Sequence, residues 1–304
     1  MNVDVQVRGA GLAGRLIATA LRDAGVEVRL VDPRPRPPPP VTCTVLGVHP
    51  EHPWRFEAAL GSARAAELSR FLQGGLGFGA DVERCGVEWV GPEAEEHDRS
   101  VAAAARMGLR ATRTARGFVM HDAGRAAWPA LDMPVWDTPV DAELEVLTTG
   151  GSASDPWLDD TITPVRWQGA LAPSLTLPRP EVRRQATTFA DSGWVWGARW
   201  ATPHLEVGER EARPEPRVHM ALERVARQDH DVAVAGGFAW IVGESCDGLP
   251  IVGPLPGRAR VVVCGGFGFA GMSWAPACAR AVVDGLLGRA ADPIPAALRA
   301  RRFA

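Results

Sequence analysis

The feature that most constrains this chain is the segment Val3 to Asp32. Val3 to Arg8 has the length and β-branched content of a short strand, and Gly9-Ala10-Gly11-Leu12-Ala13-Gly14 follows it directly. Leu12, Leu16, Ile17, Ala20, Leu21 and Ala24 then recur at helical spacing, and Gly25 stands where a helix closes. Val26 to Val31 reads as a second strand ending at Asp32, 23 residues after Gly9. A strand, a glycine turn, a helix and a second strand form a βαβ opening, and each glycine has a separate task there. The first makes the tight turn, the second lets backbone N–H groups approach a pyrophosphate, and the third lets helix and strand pack closely. An acid at the end of the second strand accepts from ribose hydroxyls. This segment therefore predicts dinucleotide binding. Asp4, Gln6 and Arg8 are polar for a buried parallel strand.

Composition limits the chemistry. All 33 basic residues of the 304 are arginine, and tyrosine is absent. A Schiff-base lysine, a P-loop lysine and a tyrosine general acid are therefore excluded. A net charge of −3 offers no basic excess for nucleic acid or an anionic membrane surface. Five cysteines without a CxxC pair argue against zinc, and without a charged n-region before an apolar stretch or an 18-residue apolar run the sequence reads as a soluble protein of a reducing compartment, with the cytoplasm as the default. His49, His52, His97, His121, His204, His219 and His230 form no metal-like spacing, so no metal is expected.

Six of the eight residues from Pro33 to Pro40 are proline, which makes this stretch an extended connector. The pattern then predicts one amphipathic helix from Trp54 to about Gln73, a strand at Val87 to Val90, and a helix from Glu93 to Met107. Short strands are expected at Phe118 to His121 and Glu143 to Thr148. From Ile162 to about Val242 apolar and polar residues alternate as in an antiparallel sheet. Trp194 to Trp200 reads as one strand carrying Trp194, Trp196 and Trp200 on a single face, either as aromatic core or as the wall of a substrate pocket. The strand Arg260 to Cys264, the loop Gly265 to Met272 and a helix from Ser273 to about Leu287 end the pattern. That loop lacks a second ribose acid and reads as a helix N-terminus offering N–H groups to a partly anionic ring.

Three blocks together resemble the FAD-dependent D-amino-acid oxidase-like oxidoreductases, which include glycine oxidase and sarcosine oxidase. They are Val7 to Asp32, Glu145 to Ser152, and Asp247 to Gly288 with DGLPIVGPLP followed by VVVCGGFGFAGMSWAPACARAVVDGLLG. The resemblance implies an α/β fold: a Rossmann-like FAD-binding domain from residues 1–80, 118–160 and 244–304. Inserted in it is an α+β substrate domain with a large antiparallel sheet from 81–117 and 161–243. It implies Gly9, Gly11, Gly14 and Asp32 for the ADP half of FAD, with Arg34 as a reach to ribose or phosphate. Gly150 and Gly151 pass the adenine side, Gly266, Phe267, Gly268, Gly271 and Met272 surround the flavin, and Thr42 and Cys43 line its other side. Between Phe118 and Glu143 only Ala126 to Trp136 is available for the helix and strand that relatives insert before the middle glycines.

The implied chemistry is hydride transfer from a carbon next to an amine to flavin N5, giving an imine that hydrolyses, with oxygen as a candidate electron acceptor. The implied partner is a small amine or a modified peptide. Relatives that oxidise amino acids carry an arginine five residues before the aspartate of the DGLP motif, and here that position is Val242. The substrate-side candidates are therefore His49, Arg166, Trp196, Arg199 and Val242, and no residue is assigned as catalytic. The alternative is a scaffold or binding protein of the same fold that has lost catalysis.

Overall fold

The computed structural model describes residues 3–33, 53–79, 82–91, 93–126, 133–148, 150, 155–171, 181–187, 190–197, 200–207, 220, 236–290 and 293–304. The chain opens with β1 (Val3–Arg8), α1 (Leu12–Asp23) and β2 (Val28–Val31). The apolar stripe read from the sequence is the buried side of α1, with Leu12, Leu16, Ile17 and Leu21 enclosed. Its end is closed twice: Gly25 N donates to Arg22 O at 2.9 Å, and Val26 N donates to Leu21 O at 3.1 Å.

Next come α2 (Pro53–Leu60) and α3 (Ser62–Gly75). The sequence pattern predicts one helix here. Gly61 has φ of +80° between them, outside the helical range, so the chain turns and the apolar face is shared between two helices. The elements β3 (Val82–Glu83), β4 (Val87–Val90), α4 (Ala94–Arg106), β5 (Ala111–Arg113), β6 (Gly117–Met120), β7 (Arg125–Ala126), β8 (Val135–Trp136) and β9 (Ala142–Leu147) follow. After α5 (Pro156–Thr161) come the long strands β10 (Ile162–Leu171), β11 (Glu181–Thr187), β12 (Ala190–Gly197), β13 (Trp200–Val207) and β14 (Gly236–Ser245). The chain then forms β15 (Ile251–Leu255), β16 (Arg258–Gly265) and α6 (Gly271–Leu286).

Two large sheets result. The first has the order β15-β16-β9-β1-β2-β8, in which β16, β9, β1, β2 and β8 run parallel and β15 is antiparallel at one edge. The other edge is β8, so the short segment before the middle glycines does supply a strand. The second sheet has the order β14-β10-β13-β12-β11-β4-β6-β5 and is antiparallel except where β11 meets β4. Within it Trp194 to Trp200 is not one strand: β12 ends at Gly197, which pairs with Trp200 at the start of β13. The tryptophans therefore belong to two arms of a hairpin.

One apolar core serves both sheets. Val7, Leu30 and Val146 meet Leu16, Ile17 and Leu21 of α1 and Trp274, Cys278 and Val282 of α6, and the same cluster continues to Trp89, Met107 and Phe118. A Cβ on Gly75 would lie 2.1 Å from Ala277 Cα, so α3 and α6 touch backbone to backbone. The polar residues of β1 have partners on its other face. Gln6 is buried, accepts from Val140 N at 2.8 Å and donates to Glu145 Oε1 at 3.4 Å, while Arg8 pairs with the same carboxylate at 3.1 Å. Asp4 accepts from Glu27 N at 3.0 Å. A buried side-chain amide with partners at both ends costs little, which is why a parallel strand tolerates it.

Candidate functional site

The carboxyl ends of four adjacent parallel strands converge on one edge of the first sheet. Asp32 follows β2, Gly9 follows β1, Thr148 follows β9 and Gly266 follows β16. In open α/β sheets the crevice outside this edge is where ligands lie.

The turn after β1 is built on close backbone contact. Gly9, at φ of +107°, donates to Val31 O at 2.8 Å. A Cβ on Gly9 would stand 2.7 Å from Thr148 O, and one on Gly14 would stand 1.9 Å from Gly9 O and 2.6 Å from Thr148 Oγ1. The Thr148 hydroxyl donates into the same turn, 2.9 Å from Arg8 O and 2.8 Å from Gly9 O. Both glycines are thus required by the protein's own packing. Gly11 differs: its φ of −71° suits any residue, and a Cβ there would meet nothing within 4 Å. Gly11 is the N-cap of α1, no side chain caps that helix, and its first turn holds no acid. The positive end of the helix dipole therefore faces an open approach. Asp32 Oδ2 accepts from Ala10 N at 2.9 Å, which fixes the carboxylate beside that approach.

The second glycine loop lies between β16 and α6. Gly266 O accepts from Ser245 N at 3.3 Å, Phe267 forms an antiparallel bridge with Glu244, and Gly268 to Ala270 make a single 3-10 turn into α6. Ala270 caps α6 without a side-chain bond, and the first turn of this helix also lacks an acid. Gly271 and Met272 are half-buried there. The DGLP turn supports the loop from below. Ser245 Oγ donates to Leu249 O at 2.5 Å, Leu249 N donates to Asp247 Oδ1 at 3.1 Å, and Arg302 forks onto Asp247 at 2.7 and 2.9 Å while also reaching Leu249 O at 2.7 Å. Burial pushes the Asp247 carboxyl up, but Arg302 and the Leu249 and Ser245 bonds outweigh it and hold it below the usual carboxylate range. Burial raises the thiols of Cys264 and Cys278 far out of reach of thiolate chemistry.

Of the residues singled out in the sequence, Gly9, Gly11, Gly14, Asp32, Gly266, Phe267, Gly268, Gly271 and Met272 lie in these two loops or directly beside them. Gly150 is half-buried next to β14, where a Cβ would come 3.7 Å from Gly243 N. Arg166 sits in β10 opposite Glu206 and Ile241, Trp196 in β12 opposite Glu181 and Ala201, and Val242, half-buried, in β14 opposite Val165. Arg34, Thr42, Cys43, His49, Gly151 and Arg199 lie outside the described residues. Sequence reading missed Thr148, Glu244 and Arg302. Their parts depend on neighbours far away in the chain, and no local spacing marks them. Among the described residues no three His, Cys, Asp or Glu side chains stand together as metal ligands, and no helix is long and apolar enough to cross a membrane.

No family model and no curated protein matches the sequence. Solved structures do match the fold. Glycine oxidase from Geobacillus kaustophilus superposes with a TM-score of 0.68 over 95% of each chain, at 16% identity. This chain has the glycine oxidase fold. L-Proline dehydrogenase from P. horikoshii shares that fold, with a TM-score of 0.68 at 10% identity over 96% of this chain and 97% of its own. So does iminodiacetate oxidase from a Chelativorans species, with a TM-score of 0.63 at 14% identity over 96% of this chain and 97% of its own. The resemblance read from the sequence holds at the level of the glycine oxidase fold, across nearly the whole length.

Proposed function

We propose that the chain is an FAD-dependent oxidoreductase that oxidises a C–N bond of a small amine or modified amino acid. The observation that carries this reading is Gly11. Packing explains Gly9 and Gly14, whereas the space a side chain at Gly11 would enter lies at the uncapped start of α1, beside a carboxylate, as a pyrophosphate and ribose require. The likeness to glycine oxidase, proline dehydrogenase and iminodiacetate oxidase supports it.

In this reading Gly9, Gly11, Gly14 and Asp32 hold the ADP half, with Arg34 nearby and Gly150 and Gly151 on the adenine side. Gly266, Phe267, Gly268, Gly271 and Met272 lie against one part of the flavin, Thr42 and Cys43 against another. Bound FAD supplies the hydride acceptor. The chain supplies placement: the start of α6 offers its N–H groups to the electron-rich edge of the ring, and the packed loop excludes water. An imine leaves and is hydrolysed by water. His49, Arg166, Trp196, Arg199 and Val242 are the proposed substrate side. Residues 1–80, 118–160 and 244–304 form the proposed cofactor-binding body, and 81–117 and 161–243 the substrate body. The strand Gly117–Met120 pairs with β4 and β5 and so lies in the second sheet, with the substrate body, although the bound is drawn at 118.

The test is the visible spectrum of protein purified in the dark. Flavin bands that bleach anaerobically with an amine support the reading. Protein that is colourless, and whose spectrum and melting temperature ignore added FAD, rejects it in favour of a non-catalytic binding protein.

A further inference from the structure

The end of β14 holds the loop that starts at Gly266. Ser245 N donates to Gly266 O at 3.3 Å, and a Cβ on Gly266 would come 3.1 Å from Ser245 Cβ, so strand and loop pack with no space between them. Ser245 is buried and cannot shift without moving the glycine. Its own height is set by the turn that follows. Ser245 O accepts from Gly248 N at 3.0 Å, while Ser245 Oγ donates to Leu249 O at 2.5 Å and lies 3.2 Å from Asp247 Oδ1. The far end of the chain closes this turn. Arg302 stands 55 residues beyond Asp247, in the 3-10 turn Ala300–Phe303. Its guanidinium meets both Asp247 oxygens, at 2.7 and 2.9 Å, and Leu249 O, at 2.7 Å. The segment is anchored on either side of it: Ala300 is buried with Ile251 and Leu255, and Phe303 meets Trp157 edge-on. A continuous path of short bonds thus runs from Arg302 through Asp247, Leu249 and Ser245 to Gly266.

We propose that Arg302 is a positioning residue for the flavin: its fork onto Asp247 and Leu249 fixes Ser245, and through it the depth at which Gly266 to Gly268 meet the ring. This rests on the flavin reading above, which sets the ring against that loop, and deepens it. A planar guanidinium bonded to three oxygens restrains the turn in direction as well as distance, which solvating water does not. Without it the turn keeps its local bonds but loses its orientation, and the loop meets the flavin over a range of depths. Contacts made at one depth then weaken, and the N–H groups at the start of α6 lose their aim at the ring.

The experiment uses the holoprotein, first confirmed to show flavin bands, and reads the FAD dissociation constant, the fine structure of the bands at saturating FAD, and the urea midpoint. For the urea midpoint, FAD is held at the same multiple of each variant's dissociation constant, so that ligand linkage is equal throughout. Arg302→Ala is expected to raise the FAD dissociation constant about tenfold, the size of one hydrogen bond to a charged group, and to blur the bands. Arg302→Lys, which keeps the charge without the fork, recovers part of both. Adding Asp247→Asn to Arg302→Ala removes the stranded carboxylate, so the urea midpoint returns towards wild type while the flavin defect stays. Arg301→Ala, at the exposed neighbouring residue, changes neither flavin readout. Flavin readouts that are unchanged in Arg302→Ala, that recover with the urea midpoint in the double variant, or that are equally disturbed by Arg301→Ala overturn the proposal while flavin binding stands. Protein that shows no flavin bands and takes up no FAD removes both readings together, before any variant is made.

Discussion

Gly11 and Gly14 belong to one motif and differ in what they answer to. A methyl group at residue 14 must displace the backbone carbonyl of Gly9 and the Thr148 hydroxyl. Gly14→Ala is therefore expected to cost roughly 3 kcal/mol through overpacking, read as a lower urea midpoint. A methyl at residue 11 meets no protein atom, so Gly11→Ala should stay within about 1 kcal/mol of wild type. Yet it should lose its flavin colour; a yellow Gly11→Ala protein with normal FAD affinity would remove the observation on which the proposed function rests. The spacing of the three glycines was legible in the sequence. Their division of labour was not, because it is set by Thr148, whose place beside Gly9 comes from the pairing of β1 with β9. His97 carries a second prediction. It is buried on α4 against Phe118, and burial first, then the charge of Arg113, lowers its pKa below the ordinary value, with Glu96 and Asp98 opposing. Below pH about 6.5 the unfolded chain takes up a proton that the folded chain refuses. Stability is therefore lost as pH falls from there towards the lowered pKa, and His97→Gln should show a flatter dependence of urea midpoint on pH over that window.

At the scale of elements, the DGLP turn and the segment around Arg302 act as one unit. Arg302→Ala leaves a half-shielded carboxylate at Asp247 and leaves Leu249 O with only its bond from Ser245 Oγ. We expect a loss of about 1 to 2 kcal/mol in chemical denaturation, with most of the effect vanishing in a double variant that also carries Asp247→Asn. Because the Asp247 pKa is lowered, the tie is intact above the ordinary carboxylate pKa and is lost as pH falls through the folded value. The sequence revealed the elements with strong periodicity, including β1, α1, α4 and α6, nearly to the residue. It misjudged those where one glycine or one hairpin turn decides the outcome. Gly61 breaks an apolar stripe that continues on both sides of it, and the alternation through Trp194 to Trp200 is blind to a reversal of direction at the hairpin, since both arms alternate alike.

At the scale of the molecule, the first sheet takes strands from widely separated parts of the chain: β9 joins it after three strands of the second sheet, and β15 and β16 after all eight. A fragment of residues 1–243 lacks β15, β16 and α6, and with them the apolar cover of α1 and α3. It is expected to show no cooperative unfolding transition and rapid proteolysis, whereas two independent units would leave a protease-resistant portion. The α/β class was readable from the opening segment and the closing strand, loop and helix. The pairing of β11 with β4 was not, because nothing local in either strand names its partner. The polar side of β1 has a bearing on how such a chain survives its own synthesis. While β1 and β2 have left the ribosome and Ala142 to Leu147 have yet to be added, one flank of β1 is an open row of donors and acceptors. Asp4, Gln6 and Arg8 put charge and amide on one face of that open-edged strand, so the nascent sheet resists sticking to another chain until Glu145 arrives to claim Gln6 and Arg8.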